Sequence, residues 1–269
     1  MPSKPTVAEL LAGKGKTQRT QVFTMDPEEA AAAEAAGIEM IVTLHTMVST
    51  IREAAPNVFL TGGMLGEVNA SEAMIVSAAY KVMSAGGDAV YSSANLQRVE
   101  EMAREHIPVV GHVGYVPYRS TWFGGARAVG KTAEEARRVY EDTRRYEAAG
   151  AIGVEMEVVP HQMATEIARR TSILVISMGA GSGGDAQYLF AEDVLGNNAG
   201  HIPRHAKVYG NLRAELERVQ NLRVEAFAAF KRDVDSGGYP EPKHLVEADP
   251  AEHRRFVEGL EAGGSSGGS

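Results

Sequence analysis

The feature that most constrains the fold is a regular exchange between two kinds of segment. Short runs rich in valine and isoleucine alternate with longer amphipathic ones: QVFTM (21–25), MIVTL (40–44), VFLTG (58–62), AVYSS (89–93), VVGHV (109–113), GVEMEV (153–158) and LVISM (174–178). These runs are near-continuously apolar, the pattern of strands buried on both faces of a parallel sheet. The stretches between them, 27–36, 46–55, 71–86, 95–106, 132–149 and 161–171, read as helices. Asp26-Pro27-Glu28 sets an N-cap before a first-turn proline, and Ser71-Glu72 and Thr132 before Glu134 and Glu135 are similar starts. EAAG and MSAGG close helices on glycine. Strict alternation implies a parallel sheet. Seven clear units, with DVLGN (193–197) as the candidate eighth strand, predict an α/β fold: a closed (β/α)8 TIM barrel. Residues 210–235 and a charged helix from about 249 form a C-terminal helical extension. The barrel domain is expected over 1–262, and GGSSGGS (263–269) reads as a linker or tag.

A chain of 269 residues, 44% hydrophobic, suffices for one such barrel. The formal net charge of −8 argues against nucleic-acid and anionic-membrane partners, which need basic patches. No run of about 18 apolar residues exists to span a membrane. The start, MPSKPTVAELL, lacks the apolar core of a signal peptide, so a cytoplasmic location is expected. The absence of cysteine excludes disulfides, thiolate metal sites and a cysteine nucleophile.

Barrel active sites lie at the C-terminal ends of the strands. Those ends carry Asp26, His45, Gly63, Ser93, His112, Glu157 and Gly179. Glu155 and Glu157 stand two apart and so share one face of strand six. A carboxylate pointing into a barrel is costly unless it is paired or useful. Glu157, nearer the mouth, is expected to be the general acid or base, and Glu155 to be a satisfied core carboxylate. His112 is level with Glu157, and a hydrogen bond between them is expected. The loop 114–131 is long and rich in glycine and aromatics, as functional loops often are. The GAGSGG run (179–184) suits either an anion-binding loop or a tight turn.

Seven segments together resemble ketopantoate hydroxymethyltransferase over about 5–245: APNVFL (55–60), KVMSAGGDAV (81–90), IPVVGHVGYVP (107–117), FGGARAVGK (123–131), EAAGAIGVEMEVVP (147–160), MGAGSGGDAQ (178–187) and GHIPRHAK (200–207). The resemblance implies a (β/α)8 barrel that forms homo-oligomers. It also implies hydroxymethyl transfer to a small α-keto acid through an enolate, with magnesium and methylenetetrahydrofolate. Carried over residue by residue, it leaves Glu157 and His112 as the proton-moving pair.

The rest of the family's pattern is altered. Its magnesium-ligand positions read His45, Gly63 and Ser93, and its companion lysine reads Tyr91. Magnesium wants oxygen ligands in an octahedron, so magnesium in the family's manner is not expected. A softer divalent metal on His45, Glu67, His112 and Glu157 is one alternative. The other is metal-free catalysis, with His45 and Tyr91 acting beside Glu157 and His112 and with Thr46, Ser93 and Glu67 binding a small carboxylic acid. The family's loop after strand two is missing, which argues against folate. Two competing readings remain: a hydrolase, isomerase or lyase of the phosphoenolpyruvate-type barrel superfamily, and a catalytically silent oligomeric scaffold.

Overall fold

A computed structural model describes residues 4–264. All of the linker reading from residue 265 onward lies outside them. The chain divides into two compact units, Met1–Leu212 and Arg213–Ser269. The first is a closed barrel of eight parallel strands: β1 (Arg19–Phe23), β2 (Met40–Leu44), β3 (Phe59–Gly63), β4 (Ala89–Tyr91), β5 (Val109–Gly114), β6 (Gly153–Glu157), β7 (Leu174–Met178) and β8 (Ala186–Phe190). Helix α1 (Val7–Ala12) precedes β1. Helices α2 (Pro27–Ala35), α3 (Val48–Ala54), α4 (Glu72–Ser84), α5 (Leu96–Arg104), α6 (Ala133–Ala148) and α7 (His161–Arg169) connect the strands up to β7, and α8 (Ala191–Leu195) follows β8. The expected caps form: Asp26, Ser71 and Thr132 each accept from backbone amides of the first turn. Asp26, a strand-end candidate, thereby serves as a helix cap.

Alternation along the strands sorts the apolar residues into two cores. Ile41, Leu60, Val90, Val109, Val154, Met156 and Val175 pack outward against the helices. Met40, Val42, Phe59, Ala89, Val110, Leu174, Ile176, Ala186 and Tyr188 point inward, and Leu10 of α1 joins that inner cluster. Further along the strands the interior turns polar, with Gln21, Thr61, His112 and Glu155 all buried.

The eighth strand is AQYLF, not DVLGN. Residues 193–195 belong to α8, and Ala186–Phe190 closes the barrel by pairing with both β7 and β1. A parallel crossover normally takes a dozen or more residues and a helix. Here 179–185 returns across the outside of the barrel without one. GAGSGG is what makes that strap thin. A Cβ on Gly181 would lie 2.4 Å from His161 Cβ, and one on Gly183 would lie 2.0 Å from Thr165 Oγ1 and 2.8 Å from Thr165 Cα. Buried Asp185 ties down the far end, accepting from Val175 N at 2.8 Å, Gly15 N at 2.8 Å and Lys14 Nζ at 2.9 Å.

In the loop after β5, Pro117–Phe123 form 3-10 turns. The second unit contains α9 (Leu212–Ser236) and α10 (Pro250–Gly264). On α9, Leu216, Val224, Phe227 and Phe230 are exposed. Among the described residues no helix is long and apolar enough to cross a membrane.

Gly183→Ala is expected to be destabilising, because the new methyl meets helix backbone as well as a side chain. Overpacking of this kind costs about 1–3 kcal/mol. At roughly 2–4 °C per kcal/mol, calorimetry should show a drop of several degrees in Tm. An unchanged Tm would show that the strap does not lie against α7.

Candidate functional site

The open end of the barrel holds a cavity of about 490 Å³. Its walls are apolar: Phe23, Val42, Leu44, Leu65, Met178 and Phe190. Its polar lining is Tyr91, His112, Tyr118, Glu155, Glu157, Tyr188, Asp193 and His205. No lysine or arginine lines it among the described residues.

Glu157 ends β6 and is held by main chain on both sides. Its carbonyl accepts from Tyr115 N at 2.8 Å. Gly114, at φ +86, lies so close that a Cβ there would meet the Glu157 oxygen at 2.4 Å. The next residue, Val158, adopts φ +50, a conformation a β-branched side chain resists. It is fixed by bonds from Val158 N to Met178 O and from Val129 N to Val158 O. Strain held in place by its surroundings is common at functional sites.

His112 is buried on β5, with Nε2 3.0 Å from Glu157 Oε2. That contact is close, but it lacks the alignment of a hydrogen bond. The other ring nitrogen, Nδ1, is 2.6 Å from the Tyr91 hydroxyl, which also bonds Ser93. Burial first, and then the charge of Glu155, push the Tyr91 pKa well above the ordinary phenol value. Tyr91 therefore keeps its proton and donates to Nδ1, leaving Nε2–H toward Glu157. Behind this strand Tyr146 of α6 lies flat against Gly111, where a Cβ would meet its ring at 2.4 Å, and the Tyr146 hydroxyl bonds the His112 backbone.

Glu155 lies below, paired in register with His112 and only 4% exposed. Its one hydrogen bond comes from Gln21 Nε2 at a long 3.5 Å. Burial, reinforced by the neighbouring charge of Glu157, holds its carboxyl well above the usual carboxylate range. Tyr188 of β8 is 3% exposed, and its hydroxyl has no hydrogen-bond partner among the described residues. At the rim, burial lowers the pKa of half-buried His205, which packs its ring 2.8 Å from where a Gly179 Cβ would be.

Of the residues singled out in the sequence, Glu157, His112 and Tyr91 meet in this cavity. The other four do not line it. His45 turns its Nδ1 toward Gly63 O at 3.1 Å, Thr46 and Glu67 are exposed, and Ser93 is half-buried outside the cavity lining. Glu155, Tyr188, Asp193 and His205 were not expected as cavity residues. Tyr188 was hidden because its strand was misplaced, and His205 stood unread inside GHIPRHAK.

The donor set does not suit magnesium. The family's ligand positions offer a turned imidazole, a glycine and a hydroxyl, with Leu44 and Leu65 beside them in the cavity wall. Among the described residues no three His, Cys, Asp or Glu side chains are gathered so as to hold a metal ion, which includes the mixed set on His45, Glu67, His112 and Glu157.

A family model for ketopantoate hydroxymethyltransferase matches residues 37–242. A protein of Roseiflexus sp. named 3-methyl-2-oxobutanoate hydroxymethyltransferase is 34% identical, over 81% of this chain and 79% of its own length. Proteins of the same name from Halalkalibacterium halodurans and Kosmotoga olearia are 32% and 29% identical, over 76% and 90% of this chain and 73% and 97% of their own lengths. Among solved structures, phosphonopyruvate hydrolase aligns with a TM-score of 0.51 at 12% identity, covering 98% of this chain and 99% of that one. That likeness speaks to the barrel alone.

The state of Glu155 has a consequence for stability. A carboxyl whose pKa is raised by folding binds more protons folded than unfolded. Its contribution is fully present below the unfolded pKa of about 4.3 and is lost as pH rises toward the folded pKa. Glu155→Gln lacks that loss. The Tm of this variant relative to wild type is expected to climb between pH 5 and pH 8. A difference independent of pH would mean that Glu155 is not held protonated.

Proposed function

Since the chain belongs to the ketopantoate hydroxymethyltransferase family, we propose that it is an enzyme that enolises a small oxo acid and makes or breaks an aldol-type carbon–carbon bond, with hydroxymethyl transfer as the family form. The observation that carries this reading is the Tyr91–His112–Glu157 chain at the cavity mouth, with spacings of 2.6 and 3.0 Å. Glu157 is the base. It removes a proton from the carbon beside the carbonyl and leaves an enolate. The enolate carbon then attacks an aldehyde carbon, and the product alkoxide takes a proton back from the Glu157–His112 pair. Tyr91 holds the imidazole in one tautomer. In the reverse direction the same groups cleave the bond.

The apolar walls receive the substrate's alkyl part. Its carboxylate stays toward the rim, where water still reaches, because no lysine or arginine among the described residues meets it inside. No step passes through magnesium. The reaction is assigned to the cytoplasm, and the working form to a homo-oligomer, for which the exposed apolar residues of α9 offer contact area.

The test is proton exchange with 3-methyl-2-oxobutanoate in D2O, followed by NMR. Wild type is expected to exchange the proton beside the carbonyl, and to do so equally after chelator treatment. Glu157→Gln should lose roughly 10²–10⁴-fold while remaining folded. A wild type that does not exchange the proton removes the oxo-acid reading. A fully active Glu157→Gln removes the base, and dependence on added magnesium removes the metal-free mechanism. Light scattering is expected to give a mass above the 28.7 kDa of one chain.

A further inference from the structure

Two buried groups deep in the cavity are left without work by the chemistry above. Glu155 and Tyr188 both point inward, on β6 and β8, and both line the cavity. They are 4% and 3% exposed. Polar groups this deep normally have partners. Tyr188 has none through its hydroxyl among the described residues, and Glu155 has only the long contact from Gln21. Two proton donors of high pKa are thus aimed into empty space beside the reacting pair.

We propose that Glu155, as a neutral carboxylic acid, and Tyr188 form a metal-free oxyanion site that takes the carbonyl oxygen of the substrate as it becomes an enolate. The inference rests on the reading of this cavity as an enolising site, and it names what replaces the family's dication.

The charge environment supports a neutral Glu155. The groups around it are Glu157 above it on its own strand, His112 on β5, Tyr91 on β4, Gln21 on β1 and Tyr188 on β8; β7 presents apolar Ile176 beside it. No permanent cation is among them. Ionising a carboxyl that is buried beside a second one and has no compensating cation is costly, so Glu155 keeps its proton. A neutral acid and a phenol then donate two hydrogen bonds to one developing charge in a dry site. An apolar site can hold a carboxyl neutral for this purpose, and such a donor pair stabilises charge only as it forms. Tyr91 is not the donor, because its hydroxyl is committed to His112 and Ser93.

The experiment needs no turnover. Chelator-treated protein at pH 8, without added metal, is titrated with 4-nitrophenol, whose phenolate mimics an enolate oxygen. Nitrobenzene, which has no such oxygen, is the reference ligand. Wild type is expected to bind the phenolate more tightly than nitrobenzene. Tyr188→Phe and Glu155→Leu should each weaken the phenolate by about tenfold or more, the worth of one hydrogen bond to a charged group, with nitrobenzene unchanged. Glu155→Gln keeps a neutral donor and should stay within about threefold of wild type. Equal binding of the two ligands by wild type overturns the proposal, and so does an undiminished phenolate affinity in Tyr188→Phe. If Glu155→Gln fails as badly as Glu155→Leu, the group acts through charge and the proposal is also overturned. Should Glu155→Leu not fold, the Tyr188→Phe and Glu155→Gln outcomes decide alone. Protein that shows this binding pattern but no proton exchange with the oxo acid keeps the oxyanion site and loses the substrate assignment. The reverse result loses only the oxyanion site.

Discussion

Strand β6 places two carboxyl groups on one face, and the barrel gives that face nowhere to go but inward. Glu155 and Glu157 therefore share a cavity that, among the described residues, has no lysine or arginine in its lining. Most of what surrounds them is a response to that constraint. Glu157, nearer the opening, has an imidazole at 3.0 Å. Glu155, deeper, has an amide at 3.5 Å, and its carboxyl is pushed above the usual range by burial. Two identical side chains two residues apart thus meet different surroundings, one nearer water and an imidazole, the other deep and thinly partnered, and on the proposal above that difference is what separates base from acid.

That division of labour needs a fixed backbone. The second glycine of VVGHVG, Gly114, lets β5 close onto the carbonyl of Glu157, and the first, Gly111, lets the Tyr146 ring pack behind His112. Val158 holds a strained turn just after Glu157, pinned by its bond to Met178 O. The polar groups thus sit on rigid strand ends, where small displacements matter most for proton transfer. The strap 179–185 adds a constraint from the other side. Without it β8 could not follow β7 so closely, and Tyr188 would not line the same cavity as Glu155.

The fold was legible because burial on both faces leaves a plain mark in the sequence: seven strands stood out as continuous apolar runs. The eighth did not. AQYLF alternates inward Ala186 and Tyr188 with partly exposed neighbours, and it follows β7 after seven residues in place of a helix. The candidate site was legible where residues lie at or near the C-terminal ends of strands, as with Glu157 and His112. It was misjudged where the chain turns at the end of a strand, because His45 leaves the barrel face and bonds Gly63 O. It was missed where the evidence is an absence. Only the three-dimensional arrangement reveals that the Tyr188 hydroxyl lacks a partner, since a tyrosine on an inward face reads as core.

The replaced positions form one coherent change. A dication with several carboxylate ligands and a lysine is a charge-balanced cluster, and removing any single member leaves a buried charge uncompensated. Here the positions read His45, Gly63, Ser93 and Tyr91 together, with Leu44 and Leu65 beside them in the cavity wall. Removing the whole cluster avoids the penalty of removing part of it. It also removes the strongest available acidifier of a carbon next to a carbonyl. Neutral donors recover some of that strength only where water is excluded, which ties their usefulness to the depth at which Glu155 and Tyr188 lie. On the metal-free reading proposed above, such a barrel needs a drier pocket with its donors at the bottom, and the apolar wall of Phe23, Val42, Leu44 and Met178 fits that need.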